Sequence, residues 1–176
     1  MTTQRVEEWT LKRVQGDVLR VPSAVLFLIA VAKHKSMTDE QLLDLAREAA
    51  AKAYAPYSNF HVGCAIESVD GEVVTGANME NACYRLGLCA EQSALTAAQH
   101  KFGLDKIARI AVVGGADATV CTPCGGCRQA ILEAAQLSGR DVEILCANGD
   151  GSTVEQHRIS ELLPFGFGPA NLEQQA

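Results

Sequence analysis

A chain of 176 residues can bury one good core and is short for two. With 48% hydrophobic and 20% charged residues its composition is that of an ordinary globular domain. The formal net charge of −6, without any Lys/Arg-rich run, disfavours a polynucleotide substrate, because displacing counterions from a phosphate backbone needs clustered cations. Small-molecule chemistry fits this balance better.

The first 36 residues differ from the rest. Residues 24–32 (AVLFLIAVA) are an unbroken apolar run, preceded by Arg20 and followed by Lys33, His34 and Lys35. A membrane-spanning helix needs about 20 apolar residues, so no membrane span is expected. Ala30-Val31-Ala32 has the small-x-small form of a signal cleavage site, but the long preceding region with Glu7, Glu8 and Asp17 departs from that pattern. The plainer reading is a translated upstream stretch, since Met37 directly precedes a well-formed helix start. Residues 1–36 are set aside as an extension of uncertain status, and 37–176 are read as one catalytic domain in a cytoplasmic setting.

Thr38 followed by Gln41 matches a capping box, and Leu42, Leu45, Ala46, Ala49 and Ala53 repeat at helical spacing. A helix is predicted from there to about Tyr54, with Pro56 forbidding continuation. Val62, Cys64 and Ile66 alternate with His61, Gly63 and Ala65 as in a strand; Asp70-Gly71 turns the chain, and 72–77 returns as the hairpin partner. Residues 88–100 read as a second helix, 107–113 as a strand, 124–137 as a third helix and 142–147 as another strand. A weaker strand follows near Thr153, and Ser160 can cap a short last helix before Pro164. The order implies a three-layer α/β sandwich, a mixed five-stranded sheet with helices on both faces. The 107–113 and 142–147 strands flank a helix and are expected to be parallel.

Seven cysteines, an odd number, include the Cys124-x-x-Cys127 pair. In a cytosolic enzyme such a set points to metal ligation rather than disulfides. Cys89-Ala90-Glu91 and Pro123-Cys124-Gly125-Gly126-Cys127 each place thiols at a helix start, where unpaired N–H groups and the helix dipole favour thiolate. Two such ends aimed at one spot supply three ligands, Cys89, Cys124 and Cys127, and leave a fourth zinc position open, as in a catalytic site. Glu91, two residues from Cys89, would bring a carboxylate near that position. Zinc lowers the pKa of a bound water towards about 7, and Glu91 can accept and return the proton. Attack on an amidine-like carbon by that route is hydrolytic deamination. Alone, Cys-x-x-Cys also reads as a structural metal half-site or a redox pair, and Cys-Ala-Glu alone means nothing; their combination is the specific signal. The four histidines (His34, His61, His100 and His157) form no His-x-Glu pair, so all-sulfur ligation is expected. Cys64, Cys83, Cys121 and Cys146 read as core or near-site residues, with Cys121 the candidate spurious ligand.

From about residue 37 to 172 the chain resembles the small homotetrameric zinc-dependent cytidine deaminases. Beyond the thiol motifs the resemblance rests on Tyr57-Ser58-Asn59-Phe60, on Asn78-Met79-Glu80-Asn81-Ala82-Cys83-Tyr84, on Cys127-Arg128-Gln129, and on Glu161-Leu162-Leu163-Pro164 with Phe167-Gly168-Pro169. It implies zinc on Cys89, Cys124 and Cys127, proton shuttling by Glu91, and deamination of cytidine and deoxycytidine in pyrimidine salvage. It further implies that Asn78 and Glu80 bind the ribose hydroxyl, Phe60 stacks on the pyrimidine and the Ala90 backbone meets the base's amide edge. Tyr84 and Phe167 would reach a neighbouring subunit's site in a homotetramer. Members with three cysteine ligands usually carry Arg after the catalytic Glu, where this chain has Gln92. Arg85 is the candidate to offset that missing charge, with a solvated surface arginine as the plain alternative.

Three rivals can be separated. A relative acting on a modified cytosine nucleoside, such as an aminoacyl-nucleoside antibiotic, would share the zinc site; Asn78, Glu80 and Phe167 favour plain nucleosides. A tRNA- or DNA-editing deaminase would need a basic groove and usually His-x-Glu ligation. A non-catalytic zinc module would have no use for Glu91 beside an open position.

Overall fold

The computed structural model describes residues 36–115 and 119–172; the apolar run at 24–32 lies outside them. The first helix, α1 (Asp39–Ala50), opens as its sequence predicts: Thr38 Oγ1 accepts from the Gln41 amide at 3.2 Å, and the Thr38 amide donates to Gln41 Oε1 at 3.0 Å. It ends at Ala50, short of the expected Tyr54. There the Tyr54 amide donates to Asn78 O (3.0 Å) and Tyr54 O accepts from the Glu80 amide (2.8 Å), so pairing with a distant segment replaces the last helical turn.

The strands are β1 (Val62–Ser68), β2 (Val73–Ala77), β3 (Ile107–Gly114), β4 (Glu143–Asn148) and β5 (Val154–Arg158), in the sheet order β2-β1-β3-β4-β5. Only the β3–β4 pair is parallel, with Val112 opposite Cys146; the helix α3 (Gly125–Ser138) crosses between those strands. Helix α2 (Ala90–Lys101) joins the β1–β2 hairpin to β3. Short helices α4 (Ile159–Leu162) and α5 (Pro169–Leu172) close the described chain.

Helices cover both faces. Leu42, Leu43 and Ala46 of α1 pack on Ala65, Ala111, Val113, Leu145 and Ala147. Ala94 and Leu95 of α2 and Ile131 and Ala134 of α3 pack on Cys64, Ile66, Ile110, Val112, Ile144 and Cys146 of the other face. Residues Gly63 to Ser68 of β1 are therefore all buried, although their alternation suggests only one covered face. Two glycines set the close approach. A Cβ at Gly63 would lie 1.9 Å from Ala46 O, and one at Gly76 would lie 2.4 Å from Ala94 N.

Where β1 ends, buried Glu67 accepts from Arg109 Nε (2.9 Å), the Met37 amide (2.7 Å) and Ser36 Oγ (3.1 Å). Arg109 also donates to Met37 O and Asp39, so the pair is fully bonded, as a buried charge requires. This clamp fixes the start of α1 against the sheet. At the other end of the domain Ser160 lies inside α4 rather than capping it. Arg158 holds the N-cap position, and the Ser160 hydroxyl donates to Asp141 at 2.8 Å.

Candidate active site

Cys89 and Cys124 are the N-cap residues of α2 and α3, both with extended backbone, and Cys127 lies in the first turn of α3. Arg128 steadies the second motif by donating from Nε to Pro123 O (2.8 Å) and from Nη1 to Leu162 O (3.1 Å). Leu88, just before Cys89, exchanges two backbone hydrogen bonds of 2.9 Å with Met79, which ties the 78–80 segment to the first motif.

The Sγ atoms of Cys89, Cys124 and Cys127 lie within 4.8 Å of one another, and Cys124 and Cys127 are 3.5 Å apart. A tetrahedral ion with Zn–S bonds of roughly 2.3 Å would set sulfurs about 3.8 Å apart, so the triad fits zinc in donor type and spacing. All seven cysteines are free thiols, and Cys121 stands outside the triad. Burial pushes the Cys121 thiol up to about 11, so it lines the cavity as a neutral group. Cys64 and Cys146 are core residues, and Cys83 is exposed.

The helix end lowers one thiol of the triad, and burial overrides it at the other two. The Cys127 amide, first, lowers the Cys124 thiol by donating to it, as an N-terminal helix turn should. At Cys89 and Cys127 burial dominates and raises both thiols, with the nearby Glu91 carboxylate adding to the effect. A divalent cation among them reverses that logic, because it stabilises the thiolates directly.

Glu91 is the singular residue of the site. It is 5% exposed, it lines the cavity, and its carboxylate has no hydrogen-bond partner among the described residues. Its oxygens reach the cavity rather than being sealed in the core.

The cavity measures about 650 Å3, within the range of small-molecule sites. Besides Cys89, Cys124 and Glu91 its walls include Phe60, Asn78, Glu80, Tyr84 and Ala90, so the structure brings together all the expected substrate residues but one. Phe167 lies outside this wall; its ring is 62% exposed and its carbonyl accepts from Gln129 Nε2 at 2.7 Å. Tyr84 lines its own chain's cavity, meeting Tyr57 edge-on at 5.9 Å between ring centres.

Asn78 and Glu80 hold the loop before β1. Asn78 Nδ2 donates to Phe60 O (2.9 Å) and Asn78 Oδ1 accepts from the Val62 amide (2.8 Å). Glu80 accepts from the amides of Tyr57 (2.9 Å) and Ser58 (3.2 Å) and from the Ser58 hydroxyl. The Ser58 hydroxyl, and after it the Tyr57 amide, hold the Glu80 carboxyl below its ordinary range. Sequence reasoning gave Ser58 and Thr122 no role, although both line the cavity; the place of Ser58 two residues before Phe60, in the Tyr57-Ser58-Asn59-Phe60 motif, was the available signal. Arg85 sits exposed in a 3-10 turn (Tyr84–Leu86) and bonds to nothing among the described residues, so its expected charge-offsetting role gains no support. Gln92, half-buried, has its Nε2 beside Gly126 at the start of α3.

A mixed sheet presenting two helix starts, a thiol triad and a bare carboxylate to one cavity defines a deaminase-type α/β enzyme. Residues 36–138 match the model of the cytidine and deoxycytidylate deaminase zinc-binding region, and the chain belongs to that family. It is 41% identical over 131 residues to the cytidine deaminase of Halalkalibacterium halodurans, covering 74% of this chain and 95% of the relative. It is 42% identical over 130 residues to that of Mycobacterium tuberculosis, covering 74% and 90%. Among solved structures the cytidine deaminase of Burkholderia pseudomallei superposes with a TM-score of 0.68 at 41% identity, covering 74% of this chain and all of that one.

Proposed function

We propose that this chain hydrolyses the exocyclic amino group of free cytidine and deoxycytidine, so that a C–N bond breaks, a C–O bond forms, and uridine or deoxyuridine leaves with ammonia. The observation that carries this reading is Glu91, a cavity-facing carboxylate beside three convergent thiols. Cys89, Cys124 and Cys127 would hold zinc, which would supply Lewis acidity to a bound water. Glu91 would carry one proton of the attacking water to the ring nitrogen and the other to the departing amine, which leaves as ammonia. Phe60 stacks on the pyrimidine, and the Ala90 backbone meets its amide edge. Asn78 retains one N–H beyond the one given to Phe60 O, and with Glu80 it holds a sugar hydroxyl.

A second copy of the chain completes the pocket. Tyr84 is 79% exposed and Phe167 62% exposed, large aromatic surfaces for a lone chain to leave bare. A homotetramer that buries them, working in pyrimidine salvage in the cytoplasm with 37–176 as its catalytic unit, is the assembly this reading entails. Among the described residues no helix is long and apolar enough to cross a membrane. The test is the ultraviolet change and ammonia release when the full chain meets cytidine, deoxycytidine and a cytosine nucleoside acylated on its sugar by an amino acid. Turnover of the two plain nucleosides supports the reading; turnover of the acylated one alone would replace it with the modified-nucleoside alternative.

A further inference from the structure

The loop that carries Phe60 is wired to the residue expected to hold the sugar, and one hydroxyl makes the connection. Ser58 Oγ lies between the Glu80 carboxylate, with which it hydrogen-bonds, and the Phe60 amide, 3.0 Å away. An ionised carboxylate only accepts, so the single Ser58 hydrogen points to Glu80 and its lone pairs face the Phe60 N–H. The chain of bonds has one direction, from Phe60 through Ser58 to Glu80, and each bond polarises the next. Asn59 between them takes a left-handed φ of 57°, which asparagine tolerates, so the loop's path depends on these side-chain bonds rather than on a regular ladder.

The acceptor count makes the wiring consequential. A carboxylate offers roughly four lone-pair sites, and Glu80 already uses three, on the Tyr57 amide, the Ser58 amide and the Ser58 hydroxyl. What remains suits one further donor, a sugar hydroxyl. A donor placed there completes the set of bonds that orients the carboxylate to which Ser58 is tied.

We propose that Ser58 is a positioning residue that couples sugar recognition at Glu80 to base stacking at Phe60, so that the ring is set in its stacking pose only when the carboxylate is correctly bonded. The substrate side of this inference rests on the deaminase reading above; the bond chain itself does not. It makes any change in the donors at Glu80 felt at Phe60, which the protein's own bonds already hold before a sugar arrives.

Two readouts test it. The first needs no turnover: amide hydrogen exchange at Phe60 in the full chain. Ser58→Ala should speed it about 10-fold, Ser58→Thr should restore protection, and Glu80→Gln should also speed it although Glu80 never touches that amide. Unchanged exchange in Glu80→Gln would overturn the coupling and leave Ser58 a local turn residue. The second is the penalty in kcat/KM for removing the 3′-hydroxyl from cytidine. That penalty should shrink about threefold in Ser58→Ala, mostly through KM, and return in Ser58→Thr. Equal penalties in the Ala variant and the unsubstituted enzyme would overturn the proposal. A chain inactive on every cytosine nucleoside would count against the deaminase reading alone, and the exchange experiment would still decide the role of Ser58.

Discussion

The sulfur end of the cavity stands on regular structure, whereas the rim around Phe60 stands on loops. Cys89, Cys124 and Cys127 sit at the starts of two long helices that are packed on one face of the sheet. Phe60, 47% exposed, is held by side-chain bonds from Asn78 and Ser58. Rigid elements fix a metal-and-proton constellation within the small tolerances that chemistry demands, while loops supply contacts that admit and release a substrate. The division predicts that damage at one end abolishes the reaction and damage at the other weakens recognition.

The largest effect should come from Cys127, which is buried beneath the cavity and shared between core and triad. Cys127→Ser should strip zinc and activity together, exceeding the roughly 10–100-fold loss typical of removing a group that only supports a ligand; atomic absorption with a parallel turnover assay measures both. Phe60→Ala should cost about 1–3 kcal/mol, the worth of one stacked base, as a rise in KM at nearly constant kcat. A fall in kcat with KM unchanged would erase the distinction between the two ends. A smaller effect follows from the depressed Glu80 carboxyl. A folded-state pKa below the unfolded one gives a contribution present above the usual carboxylate range and lost as the pH falls through the folded value. Acidification should therefore loosen the Phe60 loop before the sheet unfolds, seen as faster exchange at Phe60 with the β3 amides still protected. The smallest concerns Arg85, exposed and unbonded. Arg85→Gln should change stability by under about 0.5 kcal/mol and leave zinc content and turnover unchanged.

Legibility in the sequence followed the same division. Periodicity and caps located every described strand and the three long helices, because each choice there is local: Thr38 with Gln41 and Asp70-Gly71. The errors arose where distant partners intervene. Tyr54 leaves the helical pattern for a bridge to the 78–80 segment, and Ser160 bonds to Asp141 instead of capping a helix. Chemistry alone singled out the thiols and Glu91 as candidates, since three sulfurs and a carboxylate at two helix starts allow few uses. The proposed nucleoside rim comes only from family resemblance, because Asn78 and Glu80 taken singly look like any exposed turn after a strand. Burial, too, is a three-dimensional quantity. It raises Cys89 while the helix end lowers Cys124, a difference no spacing rule contains.

The central claim is that the cavity-facing carboxylate of Glu91 is the proton shuttle beside a zinc triad. It is tested most directly by measuring zinc content and cytidine turnover on the same samples of the full chain and of Glu91→Ala. The account predicts stoichiometric zinc in both and a loss of kcat between about 10²- and 10⁴-fold in the variant. Undiminished turnover in Glu91→Ala with zinc still bound would contradict it.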